Sequence, residues 1–127
     1  MPDAYTLSFD SDRNRIDFAM AGHWTADDAA SWAEAFVDVV DQAEPGFVVV
    51  GDMLGSVLQT PEVQATHEQL MAYSVEQGMR RGVLVVGTTT LKLQLERLAS
   101  NAHSDERILF VGSHSQAEQA IKQVTSR

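Results

Sequence analysis

Phe47-Val48-Val49-Val50-Gly51 is the first of three short apolar runs that each close on a glycine. The other two runs are Gly82-Val83-Leu84-Val85-Val86-Gly87 and Ile108-Leu109-Phe110-Val111-Gly112. A helix start follows each of them, and continuous apolar runs of this length are typical of parallel strands that are buried on both faces. The sequence therefore predicts a chain built from βαβ units.

Two further strands are expected before the first run. Residues 5–9 and 16–20 alternate apolar and polar side chains on either side of the turn-forming segment Asp10-Ser11-Asp12-Arg13-Asn14, which predicts an antiparallel hairpin. A first helix is expected to begin at Thr25, with Asp28 completing its capping box, and to run to about Gln42.

Three more helix starts complete the pattern. Thr60-Pro61-Glu62 predicts the start of a helix over 60–77, and a threonine run after the second apolar run predicts the next helix. Ser115 and Glu118 form a capping-box pattern for a last helix. The expected fold is an α/β single domain over 1–127 in the order ββαβαβαβα, with a mixed five-stranded sheet, an N-terminal β-hairpin and about four helices.

Charge and composition narrow the range of partners. The 127 residues carry a net charge of −9, and residues 1–60 contain eleven acidic and two basic residues. Such a surface repels phosphate backbones and anionic headgroups, so nucleic acid and membrane surfaces are not expected partners. No apolar segment reaches membrane-spanning length, no signal-like leader is recognised and cysteine is absent, so a cytoplasmic location is expected.

No catalytic or metal site is expected from the motifs. The chain lacks cysteine and a G-x-S-x-G elbow, and its four histidines show no metal-ligand spacing, so neither an enzyme nor a cofactor is predicted. Asp52 follows a buried strand as the phosphoacceptor of a receiver domain does, but the acidic pair and the lysine that such a site requires are missing. Asp52 is instead interpreted as a turn residue that accepts hydrogen bonds from the loop backbone.

The segment after the first run is the candidate functional region. We expect residues 52–59 to form a loop, and the candidate partner or ligand surface comprises Asp52, Met53, Leu54, Gly55, Ser56, Leu58, Thr60 and His67. A weaker candidate is an anion site at Thr88, Thr89 and Thr90, at the start of a helix and close to Lys92. Plain helix capping is the favoured explanation of these threonines.

The chain resembles the SpoIIAA-like family of STAS domains, above all its stand-alone bacterial STAS/SEC14-like branch. The resemblance is carried by the hairpin, by the helix start in Ala21-Gly22-His23-Trp24-Thr25, and by Phe47-Val48-Val49-Val50-Gly51-Asp52 with a glycine soon after. The resemblance implies a non-enzymatic regulatory role, since anti-sigma-factor antagonists of this family bind a regulatory kinase and other relatives bind small ligands. It also implies a phosphorylated serine after the third strand. That position is Leu54 here, and leucine cannot accept phosphate. Ser56 takes the role only if the loop is longer than in the family.

Three functions therefore remain open at the level of sequence. A protein-interaction module, with a possible homodimer, would leave Met53, Leu54 and Leu58 exposed. A carrier of a small apolar or lipid-like ligand would hold a pocket between the helix over 60–77 and the sheet, with that helix as a candidate lid. An enzyme would bring Asp52 and His67 within hydrogen-bond distance.

Overall fold

The computed structural model describes residues 5–125 of the chain, and these residues form five strands and four helices. The strands are β1 (Tyr5–Asp10), β2 (Arg15–Gly22), β3 (Val48–Ser56), β4 (Arg81–Val86) and β5 (Ile108–Val111). The helices are α1 (Ala26–Gln42), α2 (Pro61–Glu76), α3 (Thr89–Asn101) and α4 (His114–Thr125). The predicted order ββαβαβαβα is confirmed.

The strands form one mixed sheet in the order β1-β2-β3-β4-β5. The predicted hairpin is present, because β1 pairs with β2 in antiparallel fashion from Tyr5 opposite Met20 to Asp10 opposite Arg15. The remaining neighbours are parallel, and the register between β2 and β3 shifts between Ala19 and Ala21. All the parallel strands therefore end at one edge of the sheet, the carboxyl edge.

The sheet is covered by two different cores. Helices α1, α2 and α3 pack on one face, which carries aromatic side chains and methionines and is called the methionine face below. Helix α4 packs on the other face against a small cluster dominated by valine, called the valine face. The side chains of the second cluster are Val48, Val50, Val83, Val85, Ala117 and Ile121. Alternation along β3 and β4 sends successive side chains to opposite cores.

A cluster of aromatic side chains packs α1 against the methionine face. The ring centroid of Trp32 lies 4.9 Å from that of Phe18 and 5.1 Å from that of Phe36. Phe18 lies directly over Gly51 of the neighbouring strand, where a Cβ atom would approach the ring to 2.2 Å. A glycine is therefore required at this point of β3 for the ring to lie against the sheet.

Most helix starts follow the prediction. Thr25 and Asp28 form the expected capping box, and the Thr60 hydroxyl accepts a hydrogen bond from the backbone N–H of Val63. The capping box predicted at Ser115 is wrong, because α4 begins two residues earlier and the Ser113 hydroxyl accepts from the N–H of Gln116. Within residues 5–125, no helix is both long enough and apolar enough to cross a bilayer.

The candidate region differs most from the prediction. Residues 52–56 were expected in a loop, but they continue β3 and pair with both neighbours. Met53 lies opposite Val86 of β4, while Gly55 and Ser56 lie opposite Ala21 and Gly22 of β2. Only residues 57–60 connect the strand to α2. The polar and glycine residues here have weak strand propensity, and pairing with β2, joined by β4 as far as Met53, overrides it.

Candidate functional site

Three large aliphatic side chains lie exposed where β3 ends. Leu54 is 44% exposed, and Val57 and Leu58 are each 48% exposed. Leu54 lies beside Gly87, the residue that follows β4, where a Cβ atom would meet the leucine Cδ2 at 3.6 Å. We call these three residues the β3 rim. The interaction-module hypothesis requires Leu54 and Leu58 to be exposed, and both are.

A buried glutamine fixes the backbone of the rim. The Gln59 side chain accepts a hydrogen bond from the N–H of Trp24 at 3.0 Å and donates to the carbonyls of Gly22 and Val57 at 3.1 and 2.7 Å. Its backbone N–H donates to the Gln94 side chain of α3 at 3.2 Å. One residue therefore joins the end of β2, the start of α1, the β3–α2 connection and α3. Sequence reasoning missed Gln59, because nothing in its neighbourhood marks a glutamine as buried.

Met53 and Ser56 do not belong to the exposed surface. Met53 is 3% exposed and contributes to the methionine face, whereas the interaction-module hypothesis would leave it exposed. It points to that face because the alternation of β3 continues past Gly51. Ser56 is 6% exposed, and its hydroxyl donates to the carbonyl of Met20 at 3.0 Å. A phosphate on Ser56 would have to break this contact and occupy buried space.

Asp52 makes two contacts at the carboxyl edge. Its Oδ1 accepts from the N–H of Leu54 at 3.0 Å, which is the local hydrogen bond expected from the sequence. Its Oδ2 lies 3.0 Å from Nε2 of His114. This second contact joins the end of β3 to the first turn of α4. It was not predicted, because the two residues are far apart in sequence and share no motif.

The pairing of Asp52 with His67 that an enzyme would need does not form. Asp52 follows the alternation of Val48 and Val50 towards the α4 side, whereas His67 is buried on α2 in contact with the methionine face. The sheet therefore separates the two side chains. Among residues 5–125, no group of three histidine, aspartate or glutamate side chains is arranged to hold a metal ion.

His67 lies in the wall of an apolar cavity between the helices and the sheet. The cavity has a volume of about 60 Å³, and Trp32, Leu70 and Leu84 are among its lining residues. His67 is 7% exposed, and its Nε2 atom is buried with no hydrogen-bond partner. Burial lowers the pKa of His67 to about 4, so the imidazole is neutral near pH 7. Its ring lies 5.8 Å from that of Trp24, between centroids.

The threonines before α3 act as capping residues. The Thr88 hydroxyl accepts from the N–H of Leu91 at 3.2 Å, and the Thr90 hydroxyl lies 3.5 Å from that of Thr88. Thr89 is the first residue of the helix. These contacts satisfy the expected capping role, and an anion site at Thr88–Thr90 stays a prediction.

The sheet order, the hairpin and the helix placement define the fold of the STAS domains, which is the fold of anti-sigma factor antagonists. One solved structure with this fold is a crystal structure of an anti-sigma factor antagonist from Mycobacterium paratuberculosis, with a TM-score of 0.61. The two chains are 16% identical, and the match covers 96% of this chain and 97% of the other. No protein-family model matches the chain, and no curated protein matches it in sequence.

Proposed function

We propose that this chain is a non-enzymatic regulatory module that binds a protein partner through the β3 rim. The observation that carries the proposal is the exposure of Leu54, Val57 and Leu58 on a backbone fixed by Gln59. Large aliphatic side chains grouped at one edge are a common feature of interaction surfaces. A fixed backbone also lowers the entropy lost on binding, since the rim is already ordered.

The likeness in fold supports the regulatory class. The similar crystal structure is described as an anti-sigma factor antagonist, a name that denotes a protein acting on another protein. Leu54 occupies the position at which the resemblance implies a phosphorylated serine. We therefore propose that binding through this rim is not switched by phosphorylation at position 54.

Charge indicates the chemistry of the partner. The excess of acidic residues lies within residues 1–60, and the rim belongs to that part of the chain. Complementary charge speeds association and selects among partners. We propose a cytoplasmic protein with an apolar recess for Leu54 and Leu58 and basic side chains around it.

Single cysteines give a direct test, because the natural chain contains none. Leu58→Cys places a thiol on the rim, and Leu109→Cys places one on the edge strand β5, where the leucine is 41% exposed. Both variants would carry a benzophenone maleimide and be irradiated in extract of the source organism. We expect one discrete protein adduct from position 58 and none from position 109.

The adduct must also depend on the rest of the rim. Adding Leu54→Ser to the Leu58→Cys variant should lower the yield of the adduct by at least several-fold, because it removes apolar contact area at the same surface. An adduct of twice the mass of the chain would identify a second copy as the partner. Equal labelling from positions 58 and 109, or no adduct from either, would contradict the proposal.

A further inference from the structure

The cavity on the methionine face has a deformable wall. Met20, Met53, Met71 and Met79 all line it, and they are the methionines within residues 5–125. Methionine side chains are unbranched and polarisable, so they adjust to a guest more readily than branched side chains do. Changes of methionine rotamer would therefore enlarge the cavity beyond its volume of about 60 Å³.

The same wall contains one fully buried side-chain nitrogen without a hydrogen-bond partner. Nε2 of His67 is buried and makes no hydrogen bond. Ser74, another polar side chain of the wall, donates its hydroxyl to the carbonyl of Leu70 at 2.8 Å. A buried unpaired nitrogen destabilises the fold, and a guest that pairs with it removes that cost.

Water is a poor occupant of this cavity. A buried water usually makes about three hydrogen bonds. Nε2 is the fully buried unpaired atom of this wall, and Ser74 is already paired with its own helix. The remaining wall is almost wholly apolar, with Phe18, Val49 and Leu95 among its members. An apolar guest with a single polar group suits the cavity better.

The volume also limits the length of the guest. An engineered cavity of about 150 Å³ accepts benzene. The cavity here is smaller, at about 60 Å³, so an acyl chain does not fit and a single ring requires the methionines to shift. The structure thus disfavours the lipid-like ligand and favours a compact one.

We propose that this cavity binds a small neutral molecule that has a compact apolar body and one hydroxyl group, with the hydroxyl hydrogen-bonded to Nε2 of His67. A hydroxyl both donates and accepts, so it pairs with either tautomer of the neutral imidazole. This site is separate from the β3 rim and does not depend on the proposed protein partner.

Phenol and toluene are matched probes for the proposal, because they share a ring and differ in the hydroxyl. Protein labelled with ¹³C at the methionine methyl groups would be titrated with each compound. We expect saturable shifts of the Met20, Met53, Met71 and Met79 methyl signals with both, since all four side chains line the cavity. In His67→Leu, the preference for phenol over toluene should fall by about three- to tenfold.

A second measurement does not depend on the variant folding. In the wild-type chain, phenol should move the ¹⁵N resonance of His67 Nε2, whereas toluene should leave it nearly unchanged. Absence of saturable methyl shifts would overturn the proposal. So would an equal response of the Nε2 resonance to both probes, or tight binding of 1-octanol in place of phenol.

Discussion

The two faces of the sheet are packed with different kinds of side chain and to different density. The valine face buries short branched side chains under one helix, and Val83, Val85 and Ala117 in it have no exposed surface. The methionine face buries aromatic rings and flexible thioethers under three helices, and it contains a cavity and the unpaired nitrogen of His67.

The charged groups on the two faces of the sheet also differ in whether they are paired. On the side of α4, Arg15 forms a bidentate pair with Glu118 and also pairs with Asp17, which raises the pKa of Arg15 and lowers that of Glu118. On the methionine face the buried ionisable group is His67, and it is alone. One face is therefore closely packed with its charges paired, whereas the other keeps a cavity and a buried polar atom without a partner.

The largest expected contrast is in the response to acid. Burial lowers the pKa of His67 from 6.5 to about 4, so the unfolded chain binds a proton there at a higher pH than the folded chain does. The free energy of unfolding should therefore fall as pH drops from about 6.5 to about 4, by a total of about 3 kcal/mol, and this contribution then levels off. Urea unfolding at a series of pH values measures it.

His67→Leu should remove most of this slope, and His23→Gln, at an exposed histidine, should leave it in place. A wild-type stability that is flat between pH 6.5 and 5 would mean that His67 is not held neutral in the fold.

Two substitutions that each add one methyl group test how tightly the two faces are packed. Val85→Ile on the valine face should cost about 1–3 kcal/mol, because Val85 has no exposed surface and is not part of the cavity wall. Val49→Ile, which points towards the cavity, should change the free energy of unfolding by less than about 0.5 kcal/mol, since the added methyl has space. Equal costs for the two variants, measured by urea unfolding, would remove the distinction between the faces.

The smallest expected effect concerns the charged pair beside α4. Glu118 is exposed to solvent on one side, so Glu118→Gln should cost about 1 kcal/mol or less at neutral pH and less again at high salt. The lowered pKa of Glu118 means that its contribution is present above the ordinary carboxyl range and is lost as pH falls through it. The difference in stability between wild type and Glu118→Gln should therefore shrink at acidic pH, and a difference that grows there would contradict the pairing.

The strands and most helix starts could be predicted because their signals are local. The apolar runs, the capping box at Thr25 and the proline after Thr60 each lie within a few residues, and each element formed as expected. The predicted cap at Ser115 failed because the Ser113 hydroxyl caps α4 in its place, and Glu118 instead pairs with Arg15, which lies 103 positions away in sequence. A local pattern carries no information about such a partner.

The candidate site was only partly predictable for a related reason. Leu54 and Leu58 could be placed at a surface from their neighbourhood, but Met53 and Ser56 were misplaced because β3 continues through residues of weak strand propensity. The cavity depends on how four methionine side chains meet in three dimensions. The cavity volume is a small difference between the space enclosed by the helices and sheet and the volume of the side chains that fill it. Such a difference cannot be read from the sequence.

Gln59 has a consequence for how this protein can diverge. Its hydrogen bonds hold the backbone at Val57 and the neighbouring segments, while the side chains of Leu54, Val57 and Leu58 take no part in the core clusters. Different residues therefore determine the backbone shape of the β3 rim and the chemistry of its surface. Mutations at the three rim positions should spread with little penalty to folding, so lineages of this fold can exchange one surface chemistry for another while the buried glutamine stays unchanged.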